Sequence, residues 1–139
     1  MTALPQILMA ASAFVIGLLG AVHLLYTFRG DRLHPRDGGL QARMHEVSPM
    51  LTSRTTMWRA WIGFNASHSL GAMLYGLVYG YLATVRSDVV FGSAFLVLVG
   101  FAMLCALLVL ARAYWFSVPF RGIALATALY VAAVVARWV

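Results

Sequence analysis

Four apolar stretches dominate this chain, each long enough at 1.5 Å rise per residue to cross a bilayer core about 30 Å thick. They run from about Ile7 to Phe28, Met57 to Leu82, Val89 to Ala111 and Phe120 to Trp138. In hydrocarbon a segment must satisfy its own backbone hydrogen bonds, which admits only helices and closed barrels. Stretches of this length predict helices. The expected fold is therefore an all-α, four-helix transmembrane bundle, with residues 1–139 as one membrane domain. Composition points the same way. Only 10% of the residues are charged and 63% are hydrophobic, at a mean hydropathy of +0.87. A soluble domain carries about 25% charged residues to cover its water-facing surface.

The connection between the first two stretches, residues 29–56, is the only extended polar segment. Within it Leu40, Met44, Val47 and Leu51 recur at helical spacing. This predicts a short amphipathic helix lying on the membrane surface, opened by Asp37-Gly38-Gly39 and closed by Pro49. The same connection holds Arg29, Arg32, Arg36, Arg43 and Arg54, with Arg59 just beyond, and the third connection holds Arg112 and Arg121. The second has Arg86 opposed by Asp88, and the C-terminus has only Arg137. The positive-inside rule then puts the first and third connections in the cytoplasm and both termini on the other side. No Lys or Arg precedes Arg29, so the basic start of a signal peptide is missing and a retained span is expected. In a soluble protein a net charge of +6 would point to nucleic acid. Here it orients the chain and meets anionic lipid, so the expected partners are membrane lipids and further membrane proteins or copies of this one, with no nucleic acid. Trp58, Trp61 and Trp138, and the turn Trp115 to Pro119, suit the bilayer interface. Cys105, the only cysteine, reads as a small core hydrophobe.

The second stretch carries the chemistry. Trp58, Trp61, Asn65, His68, Ala72, Tyr75 and Tyr79 follow one another in steps of three or four and share one face. Gly63, Ser67 and Gly71 form one small-residue line, and Ala72, Gly76 and Gly80 form another. Small residues let a second helix backbone approach. An amide and an imidazole at bilayer depth are costly and mark a functional-site candidate by default. The residues expected to line a ligand site are His68, Asn65, His23, Trp61 and Tyr75, with Trp61, Tyr75 and Tyr79 offering flat contacts for a ring. The bland alternative is that Asn65 and His68 are core groups satisfied by neighbouring helices. Tyr130 and Thr127 of the fourth stretch are candidate inward partners.

Two intramembrane histidines raise the question of haem. His23 lies about 8 Å inside if its helix leaves the membrane near Phe28, and His68 about 16 Å inside if its helix enters near Met57. That offset disfavours a shared iron. His34 and His45 fall in the polar connection and read as solvated. No metal-ligand spacing such as H-x-x-x-H or C-x-x-C occurs, and no metal site is expected. No nucleophile motif or phosphate loop appears, and no acid lies inside a span. Whether the chain is an enzyme stays open at this point, as does the identity of any cofactor.

The pattern W-x-x-W-x-G-F-N-x-S-H-x-x-G, formed by Trp58, Trp61, Gly63, Phe64, Asn65, Ser67, His68 and Gly71, resembles that of small bacterial four-helix membrane proteins of unassigned function. The resemblance covers the second helix and the four-span layout. It implies a bacterial inner-membrane, multi-pass protein and brings no activity with it. The leading expectation is an intramembrane polar pocket for a small lipophilic molecule, lipid or quinone-like. A single-haem redox subunit and a structural subunit that packs on partner membrane proteins are the alternatives.

Overall fold

The computed structural model describes residues 3–138. Among them there are six helices and no strand: α1 Leu4–Phe28, α2 Gly38–Glu46, α3 Met57–Val85, α4 Ser87–Gly92, α5 Ala94–Tyr114 and α6 Ser117–Trp138. Pro5 sits in the first turn of α1, where a missing N–H costs no helical bond. After Phe28 the chain turns at Gly30, whose φ of 82° is open to glycine at no steric cost. The Asp37 carboxylate caps α2 by accepting from the backbone N–H of Gly39 and Leu40. The Thr56 hydroxyl accepts from Arg59 N–H at the start of α3.

Three helices, α1, α5 and α6, are long and apolar enough to cross a membrane. The expected fourth span, α3, is not among them although it is the longest helix, with 29 residues. Its tryptophans, tyrosines, glycines, Asn65, His68, Ser67 and Ser69 lower its apolarity. The element bounds also shift. The predicted third helix is broken at Ser93, whose hydroxyl accepts from Leu96 N–H and caps α5, leaving α4 as a separate turn-and-a-half. The last helix begins three residues before Phe120, because Pro119 is tolerated in a first turn. The helix α2 ends at Glu46, and Val47 is extended. Leu51 therefore leaves the predicted apolar face, and no residue of α2 is buried.

The chain divides into two compact units, residues 1–19 with 72–139, and residues 20–71. In the first, Met9, Ala13, Ile16, Leu104, Ile123 and Ala126 are buried together, and α5 packs on α6. Small residues set the spacing. A methyl group at Gly76 would lie 2.7 Å from Gly17 Cα and 2.8 Å from the Ala13 carbonyl oxygen, so the two backbones touch there. Of the glycines in the two predicted small-residue lines, Gly76 makes this contact, whereas Gly63 and Gly71 face open space.

Three tyrosines tie this unit to the backbone of α5. Tyr79 donates to the Leu96 carbonyl at 2.7 Å, Tyr130 to Val97 at 2.9 Å and Tyr75 to Gly100 at 3.3 Å. Ser12 donates to the Ala126 carbonyl at 2.7 Å. These bonds spare each buried hydroxyl the cost of an unmade hydrogen bond. Gly100 is where the rings crowd in: an added methyl would meet Tyr130 Oη at 2.5 Å and Tyr79 Cε1 at 2.6 Å. Gly100→Ala is expected to cost about 2 kcal/mol, read as a lower midpoint of SDS-induced unfolding in mild detergent. Tyr130→Phe in the same background should restore part of it by removing the nearest clashing atom.

Candidate functional site

The second unit gathers the polar side chains. His23 sits five residues before the end of α1, and Asn65 and His68 lie one helical turn apart on α3. Asn65 Nδ2 donates to the Trp61 carbonyl at 2.8 Å. Its other atom, Oδ1, therefore faces His23 Nε2, 3.0 Å away. An amide oxygen only accepts, so Nε2 carries the proton and Nδ1 of His23 is left as the ring's acceptor nitrogen. The His23 and His68 rings lie 5.5 Å apart between centroids, at 84° to each other. Asn65 is buried, while both imidazoles are only partly covered. Thr27 donates to the His23 backbone carbonyl at 2.8 Å, and Ser69 to that of Asn65 at the same distance. Among the described residues no buried polar side-chain atom lacks a hydrogen bond.

The depths inferred for His23 and His68 from the helix ends are corrected by this contact. The estimate took Phe28 and Met57 to be level. In fact the first turns of α3 are flanked by the connection rather than by α1: Trp61 Nε1–H donates to the Leu33 carbonyl at 3.1 Å. Counted from Asn65 rather than from Met57, the partner of His23 is one turn from His68, so the offset shrinks to about 4.5 Å along α3 and the two rings meet.

The other site candidates separate. Trp61 bonds to the cluster through its carbonyl, its indole N–H bonds to Leu33, and it is 39% exposed. Tyr75 belongs to the first unit, where it stacks on Tyr79 with centroids 4.5 Å apart and bonds Gly100. Tyr130 and Thr127 also have their partners there, the Val97 and Ile123 carbonyls. His34 and His45, expected in solvent, both lie against Trp58, each with its ring centroid 4.9 Å from the indole. Their spacing in sequence signals nothing. The contact arises because α2 returns His45 to the start of α3. Among the described residues no group of three or more His, Cys, Asp or Glu gathers that could hold a metal ion. The first unit also has an apolar groove of about 230 Å³, lined by Val97, Leu98 and Phe101 of α5 and Tyr130, Val131 and Val134 of α6.

Chemically, the cluster offers one fixed donor–acceptor relay from Trp61 O through Asn65 to His23, and a second imidazole beside it. It has no carboxylate and no nucleophile among the residues just named. Comparison with known protein families, with curated proteins and with solved structures yields no match.

Proposed function

We propose that this is a multi-pass protein of the bacterial inner membrane that binds a small lipophilic molecule, lipid or quinone-like, through His23, Asn65 and His68. Its four spans are α1, α3, α5 and α6, with the arginine-rich connection cytoplasmic and both termini outside. The observation that carries the reading is the His23–Asn65–His68 cluster: two partly covered imidazoles in contact, one of them oriented by a buried amide. A polar side chain that only satisfies itself has no need of a second imidazole at 5.5 Å. A ligand carrying a carbonyl or hydroxyl among apolar groups has use for both a donor and an acceptor in an otherwise apolar place. Protein purified in native lipid should carry a stoichiometric small molecule detectable by mass spectrometry, and His68→Ala should lose it while keeping its unfolding midpoint. An unchanged small-molecule content in His68→Ala would sink the reading.

The same contact favours a second reading, a redox subunit with one haem. Ligation of iron would require His23 Nε2 to leave Asn65, or its Nδ1 to turn inward. Colour discriminates: a Soret band in the purified protein favours haem, and a colourless, iron-free preparation removes it.

A further inference from the structure

The connection between α1 and α3 contains a loop with a defined shape. Its base is pinned by a hydrogen bond from Met57 N–H to the Val47 carbonyl, at 2.9 Å. Its tip is a β-turn closed from Thr52 N–H to the Pro49 carbonyl, at 3.2 Å. The Thr52 hydroxyl then accepts from Arg54 N–H at 3.1 Å and holds the returning strand of the loop. The two corner residues of the turn are Met50 and Leu51, 105% and 94% exposed.

That placement is unusual in water. Turn corners favour Gly, Pro, Asn, Asp and Ser. Here two large apolar side chains occupy both corners of a turn that hydrogen bonds hold outward. Arginines flank them. Arg54 lies three residues after the tip and Arg59 in the first turn of α3, and neither is in an ion pair among the described residues. Elsewhere in this unit Arg43 is paired with Glu46 at 2.9 Å, and Arg32 lies over the Tyr26 ring. Asp37 is spent on capping α2. The unpaired charge nearest the tip in sequence is thus positive. The loop also follows α1, a helix apolar enough to span, and leads into α3; with α3 as the second span of the function proposed above, on which this inference rests, it lies at the headgroup level.

We propose that Met50 and Leu51 insert into the acyl boundary of the bilayer while Arg54 and Arg59 hold the phosphates of anionic phospholipid. An apolar tip with flanking cations is the arrangement that gains from both apolar burial and the negative leaflet surface. The loop then anchors the start of α3 against the membrane face, next to the Trp61–Asn65–His23 relay.

The test uses full-length protein in lipid nanodiscs, with a fluorophore at Leu51→Cys in a Cys105→Ala background, and a second series labelled at Met50→Cys. Brominated phosphatidylglycerol or brominated phosphatidylcholine serves as lipid quencher, and iodide as aqueous quencher. The expected result is quenching by lipid, protection from iodide, and preference for the anionic lipid. Arg54→Gln and Arg59→Gln should each reduce that preference by about fivefold. A label open to iodide in both lipids would show a water-facing loop and overturn the proposal. Protection from both iodide and brominated lipid would place protein over the tip and overturn it equally.

Discussion

Gly76→Val is expected to prevent stable assembly of the first unit. The valine methyls would enter the space held by Gly17 Cα, Gly17 N and the Ala13 carbonyl, all within 3 Å of where Cβ must stand. These are backbone atoms of α1. A side chain in the way could rotate, but here the whole helix must move. Overpacking a core commonly costs 1–3 kcal/mol, and about 3 kcal/mol or more is expected where only backbone can yield. The displaced α1 would also strain the Ser12–Ala126 hydrogen bond, made from the adjoining turn. Unfolding in detergent titrated with SDS reads the loss directly. Gly71→Ala is the control, since nothing stands within 4 Å of its added methyl, and an alanine in a helix is favoured over glycine by about 0.5–1 kcal/mol. Equal destabilisation by the two changes would refute the assignment of Gly76 as the contact glycine.

Asn65→Leu is expected to abolish small-molecule retention as completely as His68→Ala. Leucine is close in volume, so little cavity results, but it removes the acceptor of His23 Nε2–H. Leaving one polar partner unmade costs about 1–3 kcal/mol, and the imidazole would turn to find another. Two readouts separate orientation from mere damage. Nitrogen NMR of labelled histidine should show His23 as the Nε2–H tautomer in the parent and as a mixture in the variant. Ligand content should fall in parallel. If the tautomer is unchanged and the molecule stays bound, Asn65 is only a packing residue. Asn65→Gln should reproduce much of the defect, because one extra methylene moves the amide off the 3.0 Å contact.

Both expectations draw on features of unequal visibility in the sequence. Of the seven-residue stripe legible from Trp58 to Tyr79, Asn65, Ala72, Tyr75 and Tyr79 are buried, whereas Trp58 and His68 are partly covered and Trp61 is exposed. Helical periodicity is a local property, and a polar group in an apolar helix has few places to go. The Asp37 cap was legible for the same reason, as a short-range bond between a side chain and the N–H groups two and three residues on. Gly76 could not be told from Gly63 or Gly71, since all three sit at permissive spacings on one helix. Only the position of a second backbone distinguishes them. The break at Ser93 was hidden inside a continuous apolar run, where a hydroxyl reads as tolerated until its bond to Leu96 N–H is seen.

What the sequence determined by itself is the material: helices throughout, at least three of them fit to cross a bilayer, an arginine-rich connection, and one helix carrying an amide and an imidazole on the same face. These follow from composition and from a 3.6-residue period, both properties of neighbours along the chain. The tertiary structure alone decided that His23 meets Asn65 and His68, that Tyr75 bonds elsewhere, and that Trp58 lies against two histidines. Each is a matter of register between segments far apart in sequence. Helix ends are a poor guide to that register, because antiparallel helices need not end level, whereas a hydrogen bond at 3.0 Å defines it to within a turn.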